Sequence, residues 1–291
     1  MPNRQLEARA KAAFARLEAC DLCPRNCGVA RTRGETGVCK GGILARVSSM
    51  GPHFGEESPL VGEHGSGTIF FTGCSLGCAF CQNYDISHQL DGREVPPREL
   101  ADMMLRLEDM GCHNINLVTP THFVAQIIQA VALAAADGLG LPLVYNCGGY
   151  ETLETLKLLD GIVDIYMPDF KFWEGSSAER YAGAPDYPGI ARDALREMQR
   201  QVGDLVITDG LAVRGLLVRH LVMPGGCEES KQILSFIARE ISPRAFVNVM
   251  DQYRPCYRAE EFAEIARRPT AAEFRAAVAA AKAAGLQRIY T

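Results

Sequence analysis

In the stretch Thr68-Ile-Phe-Phe-Thr-Gly-Cys74-Ser-Leu-Gly-Cys78-Ala-Phe80-Cys81-Gln-Asn a short apolar run ends at Gly73 and three cysteines follow as C-x3-C-x2-C. The run reads as a buried strand, which puts the cysteines on the loop after it. Thiolates are soft ligands that suit iron or zinc better than hard cations. Four of them complete a cubane iron–sulfur cluster. Three leave one metal vertex open to a ligand from elsewhere.

Downstream of this loop the chain alternates strand-like and helix-like segments. Strands are expected at 68–73, 114–119, 141–146, 162–167, 215–223 and 245–250. Helices fit 97–110, 122–136, 150–158, 190–201, 228–240 and 258–284, the last broken near Pro269. Alternation of this kind predicts βαβ units and a parallel sheet. Six units fall short of the eight that close a TIM barrel.

Upstream, residues 4–19 carry Leu6, Ala10, Phe14 and Leu17 at helical spacing. Cys20, Cys23, Cys27 and Cys39 follow, among Gly and Pro turns. Four thiols in so small a segment point to a closed metal site whose bound metal would supply folding energy. Zinc, rubredoxin-like iron and an auxiliary iron–sulfur cluster all suit four thiolates. Residues 43–66 read as a short strand and then a Gly/Pro/His-rich connector that holds His53 and His64. The expected organisation is 1–45 for the N-terminal helix and four-cysteine module, 46–66 for the connector and 67–291 for the barrel.

The sequence has 291 residues, is 47% hydrophobic and 22% charged, and carries a net charge of −5. That balance fits a globular protein and gives no strong indication of nucleic-acid binding. No apolar run is long enough to span a membrane, and the polar start is unlike a secretory signal. Eleven cysteines, an odd number, suggest metal or redox chemistry in a reducing cytoplasm more than disulfides.

In parallel α/β barrels the chemistry gathers at the C-terminal ends of the strands. The residues found there are the cysteine loop, Thr119-Pro120-Thr121-His122, Asn146-Cys147-Gly148-Gly149, Met167-Pro168-Asp169-Phe170-Lys171, Arg219 with His220, and Asp251-Gln252-Tyr253.

At Cys74, Cys78 and Cys81, with the aromatic Phe80 before the last cysteine, the chain resembles the radical S-adenosylmethionine (SAM) superfamily. Within it, the chain looks most like pyruvate formate-lyase-activating enzymes and their relatives with an N-terminal four-cysteine segment. The resemblance implies a partial (βα)6 TIM-like barrel, open on one side. It implies a [4Fe–4S] cluster on Cys74, Cys78 and Cys81, with SAM on the fourth iron. It further implies that Phe80 shapes the adenine site, that Asp169 and Lys171 contact SAM, and that Arg219 holds its carboxylate. Asn146 and Gly148 resemble a turn near SAM, and Met167 with Asp169 resemble a monovalent cation site. Thr119 and Thr121 stand where activases carry Gly-Gly-Glu, whose backbone pairs with the SAM amino group. The activase histidine after the sixth strand has no match here.

The implied activity is reductive cleavage of SAM to a 5′-deoxyadenosyl radical, which abstracts hydrogen from a substrate the sequence leaves open. The resemblance favours a glycyl-radical-type protein or peptide, with a small molecule, a lipid precursor or an RNA nucleotide as alternatives. An electron donor such as flavodoxin or ferredoxin is implied as partner. The rival reading is a non-catalytic iron–sulfur electron carrier with two metal sites. It requires four ligands per cluster and leaves Asp169, Lys171 and Arg219 without a purpose.

Overall fold

The computed structural model describes residues 3–291. Its strands are β1 (Ala45–His53), β2 (Ser66–Phe71), β3 (Arg93–Val95), β4 (Ile115–Val118), β5 (Leu143–Cys147), β6 (Ile165–Pro168), β7 (Val206–Thr208), β8 (Leu211–Leu221), β9 (Phe246–Met250) and β10 (Arg288–Tyr290). They form one open sheet in the order β10-β9-β8-β6-β5-β4-β2-β1-β3, with β7 paired to β8. From β2 through β10 along that path every pairing is parallel. β1 runs antiparallel to both of its neighbours. The expected parallel α/β sheet of a partial barrel is therefore present, with β10 adding a strand beyond the sixth unit.

The strand interiors alternate between two apolar surfaces, as a period of two requires. Leu117, Tyr145, Tyr166 and Val218 join the main core beneath the helices. Val144, Ile165, Met167 and Leu217 form a second cluster on the opposite, inner face. Leu60 belongs to that inner cluster and is fully buried. Leu60 lies in the short helix Ser58–Val61, so the segment after β1 folds into the barrel interior as a plug. A strand and connector were expected here; the plug was not.

The helices follow the apolar pattern. Pro97–Asp109 buries Leu100, Ala101, Met104 and Leu107, one stripe at three- and four-residue spacing. Val124–Ala136 is apolar on most of its circumference because it is covered twice. The N-terminal helix Asn3–Ala15 packs on it from one side and Pro97–Asp109 from another. The expected helix at 258–284 is two pieces. A single turn spans Ala259–Glu261, and a new helix spans Ala271–Ala283. Thr270 and Glu273 cap each other's backbone there, so the second piece has its own start. The helix expected from 228 runs Cys227–Phe236 and then widens into a π turn over Ile237–Ile241. Gly175–Ala182 is a further helix that the sequence pattern did not predict. No described helix is long and apolar enough to cross a membrane.

Candidate active site

A cavity of about 370 Å³ opens at the C-terminal ends of β2, β4, β5, β6, β8 and β9. Cys74, Cys78 and Cys81 line it, and so do Phe80, Thr119, Asn146, Gly148, Asp169, Lys171 and Arg219. Residues from across the chain thus converge on one cavity. Thr121 does not join them. Its hydroxyl is buried and donates to Glu151 Oε1 at 2.6 Å.

The cysteine loop is fixed by backbone bonds from several directions. Ala79 N–H donates to the Tyr181 carbonyl at 2.7 Å, and Arg258 N–H donates to the Ala79 carbonyl at 2.9 Å. The Leu76 amide points at the Cys74 sulfur at 3.4 Å, and the Gly77 amide also bonds it. Cys81 Sγ lies 3.1 Å from Ser87 Oγ. Phe80 packs edge-on against Phe172 and Tyr253, with centroids 6.0 and 5.8 Å away. Burial raises the Cys74 thiol above its usual range and pushes Cys78 up to about 12, although Lys171 pulls it down.

No three His, Cys, Asp or Glu side chains among the described residues are set around one point as a single ion requires. A cubane does not need that arrangement, because each of its irons takes one thiolate and the sulfurs are spread around the cluster. Three soft donors on one cavity wall, with amides already aimed at one of them, fit a [4Fe–4S] group.

Opposite the loop, Asp169 bridges two cations. Its Oδ1 accepts from Arg219 Nε at 2.8 Å, and its Oδ2 accepts from Lys171 Nζ. Arg219 also donates through Nη2 to Asn146 Oδ1 at 2.7 Å. Burial alone would raise the Asp169 carboxyl, but Arg219 and Lys171 more than offset it and hold it at about 2. Burial works against the charge of both cations, and the carboxylate outweighs it, so both stay protonated. Arg219 reaches the cavity because it takes the inward parity of β8, between the outward Val218 and His220.

The glycines of the third turn are there for close approach. A Cβ on Gly149, whose φ is +74°, would sit 2.5 Å from the Asp169 carbonyl oxygen. Tyr187 closes the same corner: its hydroxyl lies 3.0 and 2.9 Å from the Gly148 and Asp169 carbonyls and accepts from the Lys171 amide at 2.9 Å. Thr119 holds φ at +59°, a left-handed conformation that a β-branched residue adopts only when its surroundings impose it.

Two buried acids beside the plug were missed in the sequence, and Glu56 lines the cavity. Glu56 places Oε2 3.5 Å from Arg219 Nη1 and Oε1 3.4 Å from His53 Nδ1. Burial raises its carboxyl, against the pull of Arg219. Glu57 accepts from Asn248 Nδ2 at 2.7 Å. Acids in a loop carry no pattern, and only the plug's fold brings them inside.

Behind the cavity wall, His122 donates through Nε2 to the Thr72 carbonyl, 2.8 Å away, and burial holds it neutral, at about 3. His220 is satisfied between the Phe170 carbonyl and Ser230 Oγ, both at 2.8 Å, which is a packing role. Cys147 is buried against Glu151, a carboxyl that burial pushes up to about 7.

Residues 68–173 match the family model of the radical SAM superfamily. An uncharacterized protein of Methanocaldococcus jannaschii, MJ0674, is 34% identical over 282 residues, covering 93% of this chain and 76% of its own length. Among solved structures, Streptococcus suis SuiB bound to precursor peptide SuiA shares 12% identity over 71% of this chain, with a TM-score of 0.47. SuiB bound to S-adenosylmethionine gives the same identity and TM-score. This chain spans 42% and 44% of the length of those two structures.

Proposed function

Since the chain belongs to the radical SAM superfamily, we propose that Cys74, Cys78 and Cys81 hold a [4Fe–4S] cluster and that SAM occupies the cavity beside it. Held by Cys74, Cys78 and Cys81, the cluster would supply one-electron reductive chemistry to SAM, whose cleavage would release methionine and furnish the hydrogen-abstracting species. The observation that carries this reading is the shared cavity. Three thiols and the Asp169, Lys171, Arg219 set face one another across a space of nucleoside size.

In this reading Arg219 and Lys171 take the SAM carboxylate, Arg219 through the donor atoms that Asp169 and Asn146 leave free. Asp169 keeps both cations in place and protonated. Phe80, with its aromatic neighbours, makes an apolar wall for the adenine. Asn146, Gly148 and Thr119 offer backbone and amide groups along the opposite edge. Thr121 supports that edge from behind through Glu151. We assign residues 1–45 to a metal-binding module on Cys20, Cys23, Cys27 and Cys39, 46–66 to a connector and 67–291 to the barrel. The resemblance to activating enzymes favours a protein or peptide substrate and a small reducing protein as electron donor.

The test is anaerobic reconstitution with iron and sulfide, reduction with dithionite, and assay for 5′-deoxyadenosine from SAM. The reading requires its formation by the parent and its loss in the Cys74→Ala, Cys78→Ala, Cys81→Ala triple variant. Equal formation by the triple variant would rule the reading out.

A further inference from the structure

One turn of chain meets the cysteine loop at or beside each of its three cysteines. It is the short helix Tyr84–Ser87 with the His88 that follows it. The Ile86 carbonyl accepts from the amide of Gly73, the residue before Cys74, at 2.9 Å. His88 donates through Nε2 to the Cys78 carbonyl at 3.3 Å. Between them, Ser87 sets its Oγ 3.1 Å from Cys81 Sγ. The turn is also held from outside. The His88 ring stacks on Tyr257 with centroids 4.3 Å apart, and Tyr84 stacks on the same ring at 5.6 Å. Tyr257 belongs to the segment whose Arg258 amide donates to the Ala79 carbonyl. Anchors on both sides of Ser87 thus fix the backbone from which its hydroxyl projects.

The three sulfurs do not share the same donors. Cys74 takes the Leu76 and Gly77 amides. Cys78 feels the Lys171 charge. Cys81 takes the Ser87 hydroxyl, the one side-chain hydroxyl bonded to any of the three among the described residues. A thiolate has no proton to give, so with Cys81 as a ligand Ser87 must be the donor. Reduction of an iron–sulfur cluster adds negative charge, and hydrogen bonds to its sulfurs are among the factors that set its potential. A hydrogen bond strengthens with the charge on its acceptor. A donor at Cys81 therefore favours the reduced state over the oxidised one.

We propose that Ser87 is a positioning residue for the cluster, and that its hydroxyl raises the cluster's reduction potential through Cys81. The proposal deepens the assignment of Cys74, Cys78 and Cys81 as cluster ligands and rests on it. No bond is made or broken in the step concerned. An external one-electron reductant such as dithionite loses the electron, the cluster gains it, and the proton stays on Ser87 Oγ.

The experiment uses the whole chain, anaerobically reconstituted, with Ser87→Ala and Ser87→Thr beside the parent. Iron and sulfide content is read first, then the reduction potential by a titration followed with electron paramagnetic resonance. All three proteins should hold the same cluster. Ser87→Ala should be harder to reduce by about tenfold in the equilibrium, ~59 mV for one electron. Ser87→Thr keeps a hydroxyl and should stay near the parent. Pulsed resonance on the reduced cluster, in water and in D2O, should show one exchangeable proton fewer in Ser87→Ala. No cluster in the parent would end the assignment of the three cysteines and the proposal together. A Ser87→Ala potential equal to or above the parent's, or a Ser87→Thr potential as low as that of Ser87→Ala, would end the proposal alone. So would a Ser87→Ala protein that holds no cluster beside a parent that does, since Ser87 would then serve assembly and not the potential.

Discussion

Around Cys74, Cys78 and Cys81 the chain places a cavity, a carboxylate and two cations. Around Cys20, Cys23, Cys27 and Cys39 it places packed backbone and one buried arginine. The first three thiols stand beside open space. The four N-terminal thiols lie among packed backbone, and Cys23 lines a surface cleft. The same side chain thus stands in two different surroundings, one open and charged, the other mostly packed. The two places also touch. Arg25, between the second and third N-terminal cysteines, donates to the Ser75 carbonyl at 2.7 Å and to the Leu76 carbonyl at 3.2 Å. Gly73, at φ +78°, lies so close to Cys39 that a Cβ would sit 2.2 Å from its carbonyl oxygen.

The sharpest way to break this contrast is to delete each set separately. Alanine at Cys74, Cys78 and Cys81 should abolish 5′-deoxyadenosine formation and leave N-terminal metal content unchanged, as read by metal analysis. Loss of both together would mean that the two sets form one centre. Next in size is Glu151, which stands between the regions, bonded to Thr121 and Tyr145 and lining a surface cleft with Cys23. Its carboxyl is raised to about 7 in the folded chain. The folded state therefore binds the extra proton, and stability falls as pH rises from the ordinary carboxylate range to about 7. Relative to Glu151→Gln, the parent should lose about 3 kcal/mol across that window in urea melts; parallel pH profiles would refute the shift. Arg219→Gln should weaken SAM binding by roughly 30-fold, about 2 kcal/mol, with the fold intact by circular dichroism. Unchanged affinity would move the carboxylate site elsewhere. Smallest is Arg25→Ala, which leaves carbonyls of the cysteine loop and of the turn at Ala182 without a donor. It should cost about 1 kcal/mol in stability and alter the electron paramagnetic resonance of the reduced cluster. A stability loss with an unaltered spectrum would mean that the N-terminal segment does not shape the loop.

Much of the barrel was legible because its strands are short apolar runs between turn residues. The cysteine loop was legible because its spacing is local. Arg219 was ambiguous in the sequence, since alternation along β8 allows either face and only the pairing register with β9 decides it. Glu56 and Tyr187 were illegible for a common reason. Each owes its role to burial by segments far away in the chain, and a lone charged or aromatic residue has no period. β3, β7 and β10 span three residues each, too few for a pattern to rise above chance. The resemblance located Asp169 and Lys171 but was silent on Glu56, which lies in a segment that carries no motif.

The plug led by Glu56 and Leu60 has a consequence for selectivity. It gives the barrel a floor made from a loop, not from the strands that carry the cysteine turn. His53, Gly55 and Glu56, just before the plug helix in the chain, line the cavity. Depth and acidity of that floor can therefore be altered by exchanging a few loop residues, while the wall that carries the cysteine loop stays as it is.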